Sequence, residues 1–172
     1  MNMQKMFTHT EPPVKLEEFN TFTVDGTRFY DSPGGKFPSV TTVTGFEKNA
    51  FFAKWRKENP KESRRVLNRG NNLHSLIEDY LNNKDIDLMS NSPVVASLFM
   101  QMKDTLNSID NIYALEMPLW SNTMALAGRV DCVAEYNGKL SVIDFKGSTR
   151  EKRKSDIENY FLQGTAYAIM WH

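Results

Sequence analysis

The chain has one cysteine, Cys132, which excludes an intramolecular disulfide and agrees with a reducing compartment. No stretch approaches the roughly 18 consecutive apolar residues of a membrane span. The start, MNMQKMFTHTEPP, lacks the apolar core of a secretory signal and the Arg/Ser richness of a transit peptide. Neither charge is in excess: 21 basic residues balance 21 acidic ones, so overall charge does not announce a polyanionic partner. Internal repeats and low-complexity segments are also missing. What remains is a 172-residue chain of ordinary globular composition, long enough for one domain with a sizeable core.

The charges are unevenly distributed. Between residues 48 and 69 stand Lys48, Lys54, Arg56, Lys57, Lys61, Arg64, Arg65 and Arg69, opposed only by Glu58 and Glu62. A second basic run, Lys146, Arg150, Lys152, Arg153 and Lys154, contains the single acid Glu151, while residues 85–116 lean acidic. Such asymmetry suits a basic channel on a balanced surface, or solvated helix faces.

Residues 1–17 read as a loose arm. Phe19–Val24 and Thr27–Tyr30 bracket Asp25-Gly26 as a hairpin. Ser32-Pro-Gly-Gly35 is a loop, and the β-branched Pro38–Val43 reads as extended. Helical periodicity follows from Phe46 to a break at Asn59-Pro60, then from about Glu62 to Asn82. Ser92-Pro93 is an N-cap with proline in the first turn, opening a helix through Leu106. A strand at Ile112–Trp120, a hairpin and a helix from about Asp156 complete an α+β domain with a small central sheet. Phe51, Phe52 and Trp55 read as core packing of the first helix, with base stacking in a single-stranded channel as the alternative.

The chemistry concentrates in Arg129–Lys146, RVDCVAEYNGKLSVIDFK. Asn137-Gly138 between apolar runs signals a tight type I′ hairpin. A two-residue loop sets Tyr136 opposite Lys139 and therefore Asp131 opposite Asp144. Facing carboxylates ~5 Å apart are destabilising unless a cation lies between them. Lys146 shares the face of Asp144 because side chains alternate with period 2, and an ammonium there can offset charge developing on a phosphate. Val133 and Val142 fall on that same face and imply that it is half-buried; Cys132 falls on the opposite one, as a buried structural thiol. Two carboxylates, a divalent ion and a lysine form a coherent phosphodiester-hydrolysing site. From its apolar neighbours alone, His74 reads as a core histidine or as a ligand.

Gly128-Arg-Val-Asp131 on one strand and Asp144-Phe-Lys146 on the next resemble the PD-(D/E)XK nuclease superfamily. The blocks Pro38-Ser-Val-Thr41, Gly70-Asn-Asn-Leu-His74 and Gln163-Gly-Thr-Ala-Tyr167, in this order, narrow the resemblance to the RecB-like exonucleases. Within these, the sequence is similar to the mitochondrial genome maintenance exonuclease group and its phage relatives. The resemblance covers roughly residues 37–172. It implies a restriction-endonuclease-like core with an antiparallel-to-mixed sheet flanked by helices. Within one nuclease domain, residues 1–36 form an arm and hairpin, 44–110 a helical part and 111–172 the catalytic core.

The resemblance further implies Asp131, Asp144 and Lys146 as catalytic residues. Mg²⁺ or Mn²⁺ would be held by His74, Asp131, Asp144 and the Phe145 carbonyl. Gln163 and Tyr167 would line the site, with plain packing as the alternative, and Glu116 would lie there as a supporting hydrogen-bond partner or a metal ligand. Independently of the resemblance, Arg150, Lys152, Arg153 and Lys154 directly follow Lys146 and are expected to hold DNA, with a solvated loop as the alternative. Gly147 departs from the family, which usually places Thr or Ser there. Relatives continue with at least one further strand, so the last strand is expected to be missing, or supplied by another segment or chain. The expected activity is exonucleolytic cleavage of DNA, single strands preferred, in replication, recombination or repair. An impaired DNA-binding remnant and a structure-selective endonuclease are the alternatives. No membrane or small-molecule cofactor is expected, and the expected location is a bacterial or phage-infected cytoplasm.

Overall fold

The computed structural model describes residues 5–149 and 151–172. Two three-stranded antiparallel sheets organise it. The first comprises β1 (Thr21–Val24), β2 (Thr27–Ser32) and β3 (Gly35–Pro38), in that order. The second comprises β4 (Ile109–Ser121), β5 (Leu126–Tyr136) and β6 (Lys139–Ile143). Between them in sequence lie α1 (Val40–Thr44), α2 (Phe46–Glu58), α3 (Pro60–Leu81) and α4 (Pro93–Leu106). A short 3-10 turn, Lys154–Asp156, precedes α5 (Glu158–Trp171). This is a mixed α/β fold consistent with a restriction-endonuclease-like core.

The anticipated turn forms. Asn137 and Gly138 both take positive φ, at 49° and 75°, as a type I′ turn requires. Tyr136 then pairs with Lys139 and the ladder runs to Cys132–Ile143. Asp25 and Gly26 make the equivalent turn between β1 and β2. The mixed sheet allowed for in the sequence is not formed among the described residues: both sheets are antiparallel, and parallel pairing is confined to the isolated bridges His9–Ile112 and Ser39–Ala127.

The second sheet separates two apolar cores. On one side Leu73, Ile77 and Leu81 of α3 and Val95 and Phe99 of α4 pack with Cys132, Ala134 and Phe145. On the other, Ala166 and Tyr167 of α5 and Val40 of α1 pack with Ala114, Leu119, Val130 and Val133. Strand alternation breaks between these cores. Leu115 packs toward α3 and α4 but Met117 toward α5, and Val130 and Cys132 divide in the same way. Residues two apart in a regular strand share a face. Here they do not, and the break on β4 coincides with Glu116, whose φ is +49°.

Several local expectations are corrected. Pro38–Val43 does not stay extended, because Ser39 caps α1, its Oγ accepting the Thr42 N–H at 3.1 Å. Helix α3 begins at Pro60, where proline's missing N–H is harmless, rather than near Glu62. Strand β4 begins at Ile109 and carries a bulge between Asp110 and Ala114, with Asn111 at φ +43°. Helix α2 buries none of its residues; Phe51 and Phe52 are 66% and 44% exposed, so neither is core.

The arm is not loose where it is described. Phe7 is buried against Tyr80, ring centroids 5.2 Å apart, and the Asn83 side chain clasps both the N–H and the C=O of Phe7 at 2.7 and 2.9 Å. The Ile112 N–H donates to the Thr8 carbonyl, and the Thr10 N–H to the Ile112 carbonyl, each at 2.8 Å. The bulge thus finds its hydrogen-bond partners in the arm. Replacing Phe7 with Ala is expected to cost about 3 kcal/mol of unfolding free energy. Val14→Ala, on the exposed part of the same segment, should change it by less than about 0.5 kcal/mol. Urea unfolding of the two variants checks both.

Candidate metal centre and active site

The end of β6 builds the site. Ile143 is its last paired residue, and Asp144 lies one step beyond the ladder. The chain then turns so that the Phe145 N–H donates to Asp131 Oδ2 at 2.7 Å. The Phe145 ring meets the His74 ring edge-on, their centroids 6.4 Å apart. One residue therefore meets the strand acid through its main chain and the helix histidine through its ring. Leu73 and Ile77, flanking His74 on α3, are fully buried and fix the helix against the sheet.

The acids anticipated to face one another take different partners. Asp131 turns to the histidine: His74 Nδ1 lies 3.7 Å from Asp131 Oδ2 and 3.6 Å from Glu116 Oε1. Asp144 is engaged by Lys146, whose Nζ lies 2.8 Å from Oδ1 and 2.6 Å from Oδ2, and Gln163 Nε2 donates to Oδ1 at 3.3 Å. Glu116 lies between the paired rows Leu115–Cys132 and Met117–Val130, across from Asp131.

His74, Glu116 and Asp131 each present one ligand atom, all within 4.8 Å of one another. One imidazole nitrogen and two carboxylate oxygens are a donor set compatible with a divalent metal ion. The electrostatics favour a cation there. Burial, reinforced by the nearby Asp144 charge, pushes the Asp131 carboxyl up to about 7. The neighbouring Glu116 carboxylate, helped by Asp131 against the opposing effect of burial, raises the His74 pKa.

One face of helix α5 supports this end of the sheet. Gln163 and Tyr167 lie one turn apart, and both are buried. A Cβ on Gly128 would stand 2.8 Å from Tyr167 Oη, so glycine at this position lets α5 approach β5 closely. Burial raises the pKa of the Tyr167 hydroxyl and pushes the Cys132 thiol up to about 12, leaving Cys132 the inert thiol expected. A Cβ on Gly147 would meet Leu73 Cδ2 at 2.6 Å, so the segment after Lys146 lies directly on α3.

The sequence-derived residues thus divide into groups. His74, Glu116 and Asp131 converge; Asp144, Lys146 and Gln163 form an adjoining chain; Phe145 links the two groups through its backbone. Val133 and Val142 pair with one another on the α5 side of the sheet. Lys152 bonds the Tyr160 hydroxyl at 2.5 Å, and its Nζ lies 4.9 Å from the Tyr160 ring centroid; Lys146 Nζ lies 5.4 Å from the same ring. Arg153 and Lys154 are exposed at the 3-10 turn, and Arg150 lies outside the described residues. Sequence reasoning left Glu116 between a supporting hydrogen bond and metal binding and missed Arg129, whose guanidinium binds the Glu116 carbonyl and the Glu18 carboxylate. The β4–β5 register would have placed both, but Asn122–Ala125 carries no strong hairpin signal.

The sequence profile of the PD-(D/E)XK nuclease superfamily matches residues 95–172. Similar curated proteins include mitochondrial genome maintenance exonuclease 1 of Homo sapiens, 33% identical over 106 residues, covering 59% of this chain and 30% of that protein. The Mus musculus protein of the same name is 29% identical over 146 residues, covering 76% of this chain and 43% of that protein. The Xenopus tropicalis one is 28% identical over 149 residues, 77% and 42% respectively. The chain spans less than half the length of these relatives. They also correct the expected bacterial or phage-infected cytoplasm, since all three are named for the mitochondrial genome. The chain thus matches the PD-(D/E)XK nuclease superfamily over residues 95–172 and is homologous to the mitochondrial genome maintenance exonucleases.

Proposed function

We propose that this chain carries the catalytic centre of a divalent-metal-dependent deoxyribonuclease that degrades DNA from ends, with single strands preferred. The observation that carries this reading is the convergence of His74, Glu116 and Asp131 beside the Asp144–Lys146 ion pair. Mg²⁺ or Mn²⁺ is the proposed cofactor, and the imidazole among the donors favours Mn²⁺. When bound, the ion supplies Lewis-acid chemistry to phosphate oxygens and to a water nucleophile.

The chain's own residues do the rest. Burial and the nearby Asp144 charge raise the Asp131 pKa to about 7, so a cation held there would displace a proton to solvent. Asp144 fixes Lys146, and Gln163 fixes Asp144, so the ammonium is oriented before substrate arrives. Its remaining N–H bonds can donate to a non-bridging phosphate oxygen as negative charge builds there. Tyr167 under Gly128 holds α5, and with it Gln163, at the correct distance.

Two surface features support a single strand as substrate. An open groove of about 520 Å³, lined by Val66, Leu67, Gly70, Asn71, His74 and Glu116, runs along α3 to the centre. Helix α2 exposes Phe51 and Phe52 within the basic run from Lys48 to Arg69, the pairing of aromatic platforms and cations suited to unstacked bases.

Asp131→Asn, Asp144→Asn and Lys146→Met are each expected to lower cleavage of end-labelled single-stranded DNA by about 10²-fold or more. Wild-type rates in Lys146→Met would refute the assigned roles. Linear single strands should be degraded while a closed single-stranded circle survives; cutting of the circle would indicate an endonuclease instead. Phe51→Ala with Phe52→Ala should raise KM severalfold at nearly constant kcat.

Proton linkage sets a further expectation. The folded-state value of Asp131 lies above its ordinary 3.8, so protonation stabilises the apoprotein at low pH, and that stabilisation is lost as pH rises toward about 7. A cation competes with the same proton. The rise in Tm caused by Mn²⁺ should therefore be small near pH 6, grow through about 7 and level off above it. Asp131→Asn should flatten this profile.

A further inference from the structure

We infer that Arg129 is a positioning residue for the metal centre, holding Glu116 in place through its main chain. Arg129 follows Gly128 and precedes Asp131 by two residues on β5, paired with Pro118. Its guanidinium is shared. Nη1 donates to the Glu116 carbonyl, and Nη1 and Nη2 grip the two Glu18 carboxylate oxygens at 3.1 and 2.5 Å. Glu18 belongs to the segment before β1, so this one side chain joins the N-terminal segment, β5 and the backbone of β4.

What it holds is an unfavourable conformation. Glu116 has φ +49°, a region that residues with a side chain adopt rarely and only when surroundings impose it. Rotation of the Glu116 backbone turns its carbonyl toward Arg129 and leaves its carboxylate beside His74 and Asp131. An arginine fork suits this task because several N–H groups in one rigid plane reach a carboxylate and a carbonyl together; a lysine ammonium lacks that planar fork. Arg129 offers no ligand atom to a metal and has no need to touch substrate. Its effect is exerted through where Glu116 stands.

The inference rests on the proposed metal reading of His74, Glu116 and Asp131, and the sign of one measurement separates positioning from charge. Removing a cationic side chain near a cation site would, on charge alone, tighten metal binding. Loss of positioning loosens it. In calorimetric titration of the full chain with Mn²⁺, Arg129→Met is expected to weaken affinity about tenfold, the scale of lost support behind a ligand. Arg129→Lys should weaken it in the same direction despite keeping the charge, and it serves in place of Arg129→Met if that variant does not fold. In a Glu116→Ala background, Arg129→Met should cause no further loss, because the group it positions is gone.

Unchanged or tighter Mn²⁺ binding in both Arg129 variants, with binding still lost in Asp131→Asn, overturns the inference and leaves the metal reading intact. Additive losses in the double variant also overturn it, since they would show Arg129 acting elsewhere. If Asp131→Asn does not alter Mn²⁺ binding either, the metal reading itself fails and the inference falls with it.

Discussion

The hydrogen bond from the Phe145 amide to Asp131 Oδ2 ties the end of β6 back onto β5, and the placement of the surrounding groups follows from it. With that bond made, the Phe145 ring meets His74, Asp144 leaves the ladder toward Gln163, and Lys146 closes on Asp144. A buried carboxylate that accepts one backbone N–H and sees a second acid nearby is poorly compensated for its charge. Its proton and a divalent ion are competing answers to the same deficit. That competition connects the local geometry, the raised Asp131 and His74 values, and the proposed chemistry.

The two carboxylates drew attention in the sequence because a regular hairpin would oppose them directly. The structure resolves the conflict by giving them separate duties. Asp131 joins a glutamate and a histidine contributed by β4 and α3, while Asp144 orients an amine. Gly128, Gln163 and Tyr167 acquire a joint meaning here. The missing side chain at Gly128 is the space that Tyr167 occupies, and the helix so seated delivers Gln163 to Asp144.

How much was legible depended on how local each cause is. Asn137-Gly138 encodes its own φ values, so the register of β5 against β6 could be counted from the sequence, as could the Ser92-Pro93 start of α4. Glu116 was only partly readable. Its position depends on a left-handed backbone and on a pairing with β5 that no turn motif announces. The arm looked structureless because its partners, Asn83 and Ile112, lie some 75 and 100 positions away in the chain. Ser39 resembled a strand residue amid β-branched neighbours, whereas its hydroxyl ends that strand by capping a helix. The aromatic residues of α2 suggested burial by type, yet the helix meets too little of the molecule to cover them.

The crossing of the two cores at Glu116 and Asp131 has a consequence for how sequence can vary. Elsewhere along β4 and β5, a repacked leucine or valine is absorbed on one face of the sheet, and its strain stays there. At this crossing the same few peptide units border both interiors, so relaxation on either side is transmitted to the acids between them. The seam therefore couples two hydrophobic compartments, one built on α3 and α4 and one on α5, to a single polar point. Drift in either compartment is constrained by the chemistry at that point, even where no drifting residue comes near it.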